Sequence, residues 1–225
     1  RYMKIEDISS ITVDKHHKVV AGKNGNYLVK KVKSELDKRL SESEEALLMA
    51  SFTHDNHKSN AARNKWIVVL FLNTGLRVNE LSSLRIYDVL DSSGEIKRTL
   101  EVRPETAKRG KARQIPLNAS AKEAIFFFTN AGNRDLTSSL IAKRKGEALT
   151  RRSIQDIVKN SGLRAGIERL IGPHTLRHTF LSKVYVKHKN VKITQQLAGH
   201  SDPKLTMQLY THTTIDEMAE AVEGL

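Results

Sequence analysis

The sequence predicts an α+β domain, mainly α-helical, with a small antiparallel β-hairpin set among the helices. Three observations lead there. Apolar residues recur at helical spacing through most of the chain, as at Trp66, Ile67, Val69, Leu70 and Leu72. One stretch breaks that rhythm: Thr99–Val102 and Gln114–Leu117 are short β-branched and apolar runs on either side of a turn built on Gly110. Pro173 and Pro203 stand where first-turn prolines open helices, because a missing N–H costs nothing there.

Taken in order, the first 35 residues are Lys-rich and poor in large apolar side chains, and read as a linker or appendage. Within them Val19-Val20-Ala21 and Tyr27-Leu28-Val29 flank Asn24-Gly25, the signature of a short hairpin. Ser41 with Glu44 makes a capping box ahead of Ala46-Leu47-Leu48-Met49. The helix marked by Trp66 to Leu72 stops at Gly75. Asn118 or Ser120 caps a helix through Ile125–Phe128. Thr150 caps another, with Ile154, Ile157 and Val158 facing inward and Gly162 ending it. Pro173 opens His174–His188, Gly199 reads as a helix C-cap, and Asp202-Pro203 precedes a helix over Lys204–His212. No apolar run is long enough to span a bilayer, and no membrane partner is expected. Zero cysteines exclude disulfides, thiolate metal sites and cysteine nucleophiles within the chain, and fit a reducing compartment. The chain opens at Arg1, so a piece of a longer protein is expected.

Charge narrows the partners. Lys and Arg number 38 against 25 Asp and Glu, a formal +13 with a pI near 9.9. Such a surplus favours a polyanion, whose neutralised phosphates release condensed counterions. Seven of the basic residues fall between Lys97 and Gln114, bracketing the hairpin with its tip at Ala107-Lys108-Arg109-Gly110-Lys111. Residues 213–225 are the opposite, with four acids and no base. There Ile215, Met218, Ala219 and Val222 form one apolar stripe at helical spacing.

Four short motifs carry the candidate chemistry. In Thr74-Gly75-Leu76-Arg77-Val78-Asn79-Glu80-Leu81, Arg77 and Glu80 are three apart, so on a helix the carboxylate can orient the guanidinium. The basic tip contributes Lys108. In His174-Thr175-Leu176-Arg177-His178, His174 and Arg177 share a face at the start of a helix, where unpaired N–H groups and the helix dipole favour an anion. The fourth is Leu197-Ala198-Gly199-His200, with Tyr210 ten residues on. Each alone has an ordinary explanation: a surface ion pair, a solvated loop, a structural histidine, a core tyrosine.

Together the segments TGLRVNEL, TAKRGKARQIPL, HTLRH, LAGHSD and LYTH resemble the tyrosine recombinase, or phage integrase, family, in its order and spacing. The likeness runs from about Leu40 to His212. It implies the tyrosine recombinase catalytic-domain fold over residues 36–212, with the C-terminal helix of 213–225 docking on a neighbouring protomer. It also implies site-specific recombination through a 3′-phosphotyrosine link, in the integrase or transposase of a mobile element, acting in a prokaryotic cytoplasm. Double-stranded DNA and a tetrameric synapse of this chain are the implied partners, and no cofactor is expected.

In that resemblance Tyr210 is the nucleophile and Arg77, Lys108, His174, Arg177 and His200 surround the phosphate, with Glu80 and His178 in support. Arginines suit a pentacovalent phosphate because they stay charged and present forked donors. His174 is the candidate base for the phenol, Lys108 the candidate acid for the departing 5′-oxygen, and His200 a donor to a phosphate oxygen. Lys111 competes with Lys108, and counting back from Ile115-Pro116-Leu117 selects Lys108. Tyr185 competes with Tyr210 but lacks a preceding Gly-His. Family members usually carry a helical DNA-binding domain ahead of this one, which 35 residues cannot supply. Two other functions fit the same residues less well: a type IB-like topoisomerase, and a basic DNA-binding module without catalysis. A metal-dependent nuclease is disfavoured, since no Asp and Glu cluster is placed to hold Mg²⁺.

Overall fold

Helices account for most of the architecture, and their caps are written in the sequence. The computed structural model describes residues 17–21, 27–31, 38–53, 58–105, 112–130, 135–143 and 146–199. Two compact units divide the chain, residues 1–38 and 39–225. The first contains strands β1 (His17–Ala21) and β2 (Tyr27–Lys31), paired antiparallel with Val19 opposite Val29.

The second unit opens with α1 (Glu42–Ala50). Ser41 Oγ accepts the Glu44 N–H and Glu44 returns a carboxylate oxygen to the Ser41 N–H, so the expected capping box is present. Helix α2 (Lys58–Thr74) is the central rod, burying Ile67, Val68, Leu70 and Phe71 and packing against three later helices. Gly75 ends it at φ +60°, its N–H closing on Phe71 O at 3.0 Å. The Phe180 ring occupies the space a β-carbon at Gly75 would need, so glycine is required twice over. Two short helices follow, α3 (Val78–Ser82) and α4 (Ile86–Val89).

Strands β3 (Thr99–Val102) and β4 (Arg113–Pro116) form the antiparallel hairpin, with Leu100 opposite Ile115 and both fully buried. The second strand starts one residue earlier than the sequence suggested. Leu117 still donates its N–H to Arg98 O at 2.9 Å, just past the end of the ladder.

Asn118, not Ser120, caps α5 (Ala119–Thr129), accepting the Ala121 N–H. Thr150 caps α6 (Arg151–Arg164) through Ser153. This helix does not end at Gly162: a β-carbon there would lie 2.5 Å from Ile171, so the glycine serves close packing and the helix runs on to Arg164. Helix α7 (Pro173–His188) begins at its proline as expected. Helix α8 (Val191–Ala198) is capped by Asn190, which accepts from Lys192 and Ile193, and by Gly199 at φ +58°. Leu40 N–H donates to Thr179 Oγ1 at 2.8 Å, tying the start of the unit to α7. The expected helix over 204–212, the hairpin tip and the C-terminal stripe lie outside the described residues. Among the described residues no helix is long and apolar enough to cross a membrane.

Candidate active site

Helix ends leave carbonyls or N–H groups without intrahelical partners, and at the C-termini the macrodipole adds partial negative charge. The C-terminal ends of α2 and α8 are brought together here, and guanidiniums from three elements occupy them.

Arg77 is the N-cap of α3, and so lies just outside the helix that the sequence suggested it would share with Glu80. Its own N–H donates to Glu80 Oε2 at 2.6 Å and its Nη1 to Oε1 at 2.9 Å. One carboxylate thus fixes both the backbone and the head group of the arginine. Nη2 reaches Ala198 O, the last carbonyl of α8, at 3.1 Å. The side chain remains 18% exposed, enough to meet a ligand.

Arg177 comes from the second turn of α7 and is only 3% exposed. It donates to Gly75 O, released by the left-handed turn after α2, and to the same Ala198 O. Two guanidiniums from segments 100 residues apart therefore share one acceptor, which places the arginines of two expected motifs side by side.

A third guanidinium completes the cluster and was not singled out from the sequence. Arg113, on the inward face of β4 with Ile115, donates Nη1 to Glu80 Oε1 at 2.7 Å, Nη2 to Oε2 at 2.8 Å and Nε to Leu197 O at 2.9 Å. Its side chain is 6% exposed and Glu80 is 1% exposed. A charged residue sharing alternation with a core isoleucine is the signal that marks it. Burial by itself would raise the Glu80 carboxyl. Hydrogen bonding and attraction from Arg113, then the N–H and charge of Arg77, outweigh that and lower it from 4.5 to about 2.

His174 stands exposed in the first turn of α7, and His178 is half-buried one turn on, with ring centroids 6.3 Å apart. Pro173 removes one N–H of that turn, and the N-cap Gly172 donates its own to Thr175 Oγ1 at 3.3 Å. Tyr185 lies half-buried in the third turn beyond His174. Lys108, Lys111, His200 and Tyr210 lie outside the described residues. Gly199, which precedes His200, holds its left-handed conformation directly over Arg113, where a β-carbon would come within 3.0 Å of Cδ.

Two of the three guanidiniums, Arg77 and Arg113, share the Glu80 carboxylate, while Arg177 donates to the Gly75 and Ala198 carbonyls. Forked, charged donors held by helix ends are the kind of group that suits a phosphate.

Comparison with known proteins identifies the family and the fold. Residues 38–217 match the model of the phage integrase family. The tyrosine recombinase XerD of Corynebacterium glutamicum is 31% identical over 190 residues, 82% of this chain and 60% of that protein. The tyrosine recombinase XerC of Thermodesulfovibrio yellowstonii is 32% identical over 202 residues, 86% of this chain and 64% of that protein. Among solved structures, XerA recombinase superposes with a TM-score of 0.64 at 26% identity, covering 83% of this chain and 64% of that one. XerH recombinase bound to its difH substrate gives 0.66 at 25% identity, covering 86% and 55%. The Tn1549 transposon integrase, at 22% identity and TM-score 0.66, covering 83% and 65%, shares the fold. This chain belongs to the phage integrase family, the tyrosine recombinases. It spans less than two thirds of the length of those XerD and XerC relatives.

Proposed function

We propose that this chain is the catalytic part of a site-specific DNA recombinase that cuts and rejoins DNA through a covalent 3′-phosphotyrosine. The observation that carries the proposal is the convergence of Arg77 and Arg177, the arginines of two separate motifs, on Ala198 O. The fork of Arg77 and the first turn of α7 would bind the non-bridging oxygens, and the site's positive charge would grow in value as phosphorus becomes pentacovalent. Tyr210 Oη would attack phosphorus, forming the Tyr–O–P bond as the P–O5′ bond breaks. His174 would take the phenolic proton while Lys108 supplies one to O5′ and His200 donates to a phosphate oxygen. One phosphoester is exchanged for another, so a second 5′-hydroxyl can reverse the step and no nucleotide triphosphate is consumed. The +13 charge supports double-stranded DNA as substrate. Paired sites would be joined in a tetramer, with the 213–225 segment docking between protomers.

The finer reading, an integrase or transposase of a mobile element, rests on the run from His200 to His212. The XerD and XerC relatives favour a second reading, a recombinase of the Xer type. A nicked suicide substrate drawn from the DNA flanking the gene, presented in excess EDTA, tests the reaction and its site together. Recombinase chemistry gives a denaturation-resistant protein–DNA adduct at a fixed nucleotide. No adduct, or one restored only by Mg²⁺ at constant ionic strength, would contradict the mechanism. Relaxation of supercoiled DNA without paired sites would favour a topoisomerase.

A further inference from the structure

We infer that Arg113 is a positioning residue for the strand-cleavage site, acting through Glu80 on Arg77 and through Leu197 on the turn that leads into His200; the inference rests on the recombinase reading. Arg113 touches three parts of the site at once. Arg113 grips both oxygens of Glu80, whose other hydrogen bonds hold the Arg77 backbone and guanidinium. Its Nε takes the Leu197 carbonyl, one residue before the carbonyl shared by Arg77 and Arg177. Its aliphatic stem lies 3.0 Å from where a Gly199 β-carbon would stand. The strand that carries it begins two residues after Lys111. Arg113 therefore fixes one end of the basic hairpin to the carboxylate that aims Arg77.

From Arg77 alone Glu80 receives one backbone N–H and one N–H of a partly exposed guanidinium. The buried, bidentate guanidinium of Arg113 adds a second bond to each oxygen and holds the carboxylate in one plane. Lysine at position 113 keeps the charge beside Glu80 but offers a point donor that cannot reach two carboxylate oxygens and Leu197 O together.

The test compares the wild-type chain with Arg113→Lys, with Arg113→Leu and Glu80→Gln singly, and with the double variant Arg113→Leu/Glu80→Gln, which removes the buried charge pair altogether. Single-turnover cleavage is measured at saturating DNA, on an ordinary suicide substrate and on one with a 5′-bridging phosphorothiolate, whose leaving group departs without a proton. Arg113→Lys should slow cleavage on the order of 10–100-fold on both substrates, the scale of a small displacement of a reacting group, with DNA affinity within about twofold. The double variant should be no slower than the slower of Arg113→Leu and Glu80→Gln, because all three break one chain of contacts. Slowing on the ordinary substrate alone would overturn the inference, since Arg113 would then serve only the leaving-group lysine. So would slowing that vanishes when temperature is lowered to restore equal folded fractions. A readout independent of cleavage is the ¹⁵N spectrum of the arginine side chains, in which hindered rotation gives Arg77 separate Nη signals. Arg113→Lys should merge them, and an Arg77 pattern unchanged by the substitution would refute the positioning role. If the wild-type chain cuts neither substrate, it is the recombinase reading that fails, and the spectrum still reports separately whether Arg113 holds Arg77.

Discussion

Replacing Glu80 with glutamine removes the carboxylate that holds Arg77 and Arg113, and the structure says how large the effect should be and how it should vary with pH. The Glu80 carboxyl titrates near 2 in the fold and near 4.5 when free. At about 1.4 kcal/mol per pKa unit, its ionised form stabilises the fold by about 3 kcal/mol, similar to the cost of removing one partner from a buried pair. Because the folded value is the lower one, that contribution is complete above about pH 5.5 and is lost as pH falls from about 4.5 through 2. By pH 3 rather less than half should remain. Urea unfolding followed by Trp66, the single tryptophan, should therefore show Glu80→Gln about 3 kcal/mol less stable than wild type at pH 7. The gap should narrow steadily between pH 5 and pH 2. A gap that stays constant from pH 7 to pH 3 would refute the reasoning, since the loss would then come from packing and not from the carboxylate's charge.

Gly75→Ala should cost at least about 1–2 kcal/mol from the left-handed backbone alone, and more from displacing Phe180, read as a lower urea midpoint. It should also weaken cleavage by moving the carbonyl that holds Arg177. Lys108→Ala should slow cleavage of ordinary DNA by about 10²–10⁴-fold, and leave a 5′-bridging phosphorothiolate much less affected. Equal slowing on both would make Lys108 a phosphate binder, and Lys111→Ala should then be compared. Deleting residues 213–225 should preserve single-site binding while removing synaptic complexes on paired sites, as followed by light scattering and gel-shift ladders. Synapsis that survives the deletion would show that the segment packs within its own protomer.

Much of the fold could be read from local chemistry. Ser41, Asn118, Thr150 and Pro173 each mark a helix start that the structure keeps, and Gly75 and Gly199 mark stops, because caps and left-handed turns are decided by a few neighbouring atoms. Gly162 misled because its reason for being glycine is Ile171, which no local pattern reveals. The short helix α4 escaped because four residues carry too little periodicity to detect. Arg77 and Glu80 were legible as a pair, being three residues apart. Arg113 was not, since its partners Glu80 and Leu197 are 33 and 84 residues away and only the folded chain brings them together.

Recombination by this route requires that Tyr210 carry the DNA. Digestion of the adduct formed on a nicked suicide substrate, followed by mass spectrometry of the nucleotide-bearing peptide, tests it most directly. The label should fall on Tyr210, and Tyr210→Phe should lose the adduct with DNA affinity nearly unchanged. An adduct that persists in Tyr210→Phe and maps to Tyr185, on the helix that carries Arg177, would contradict it.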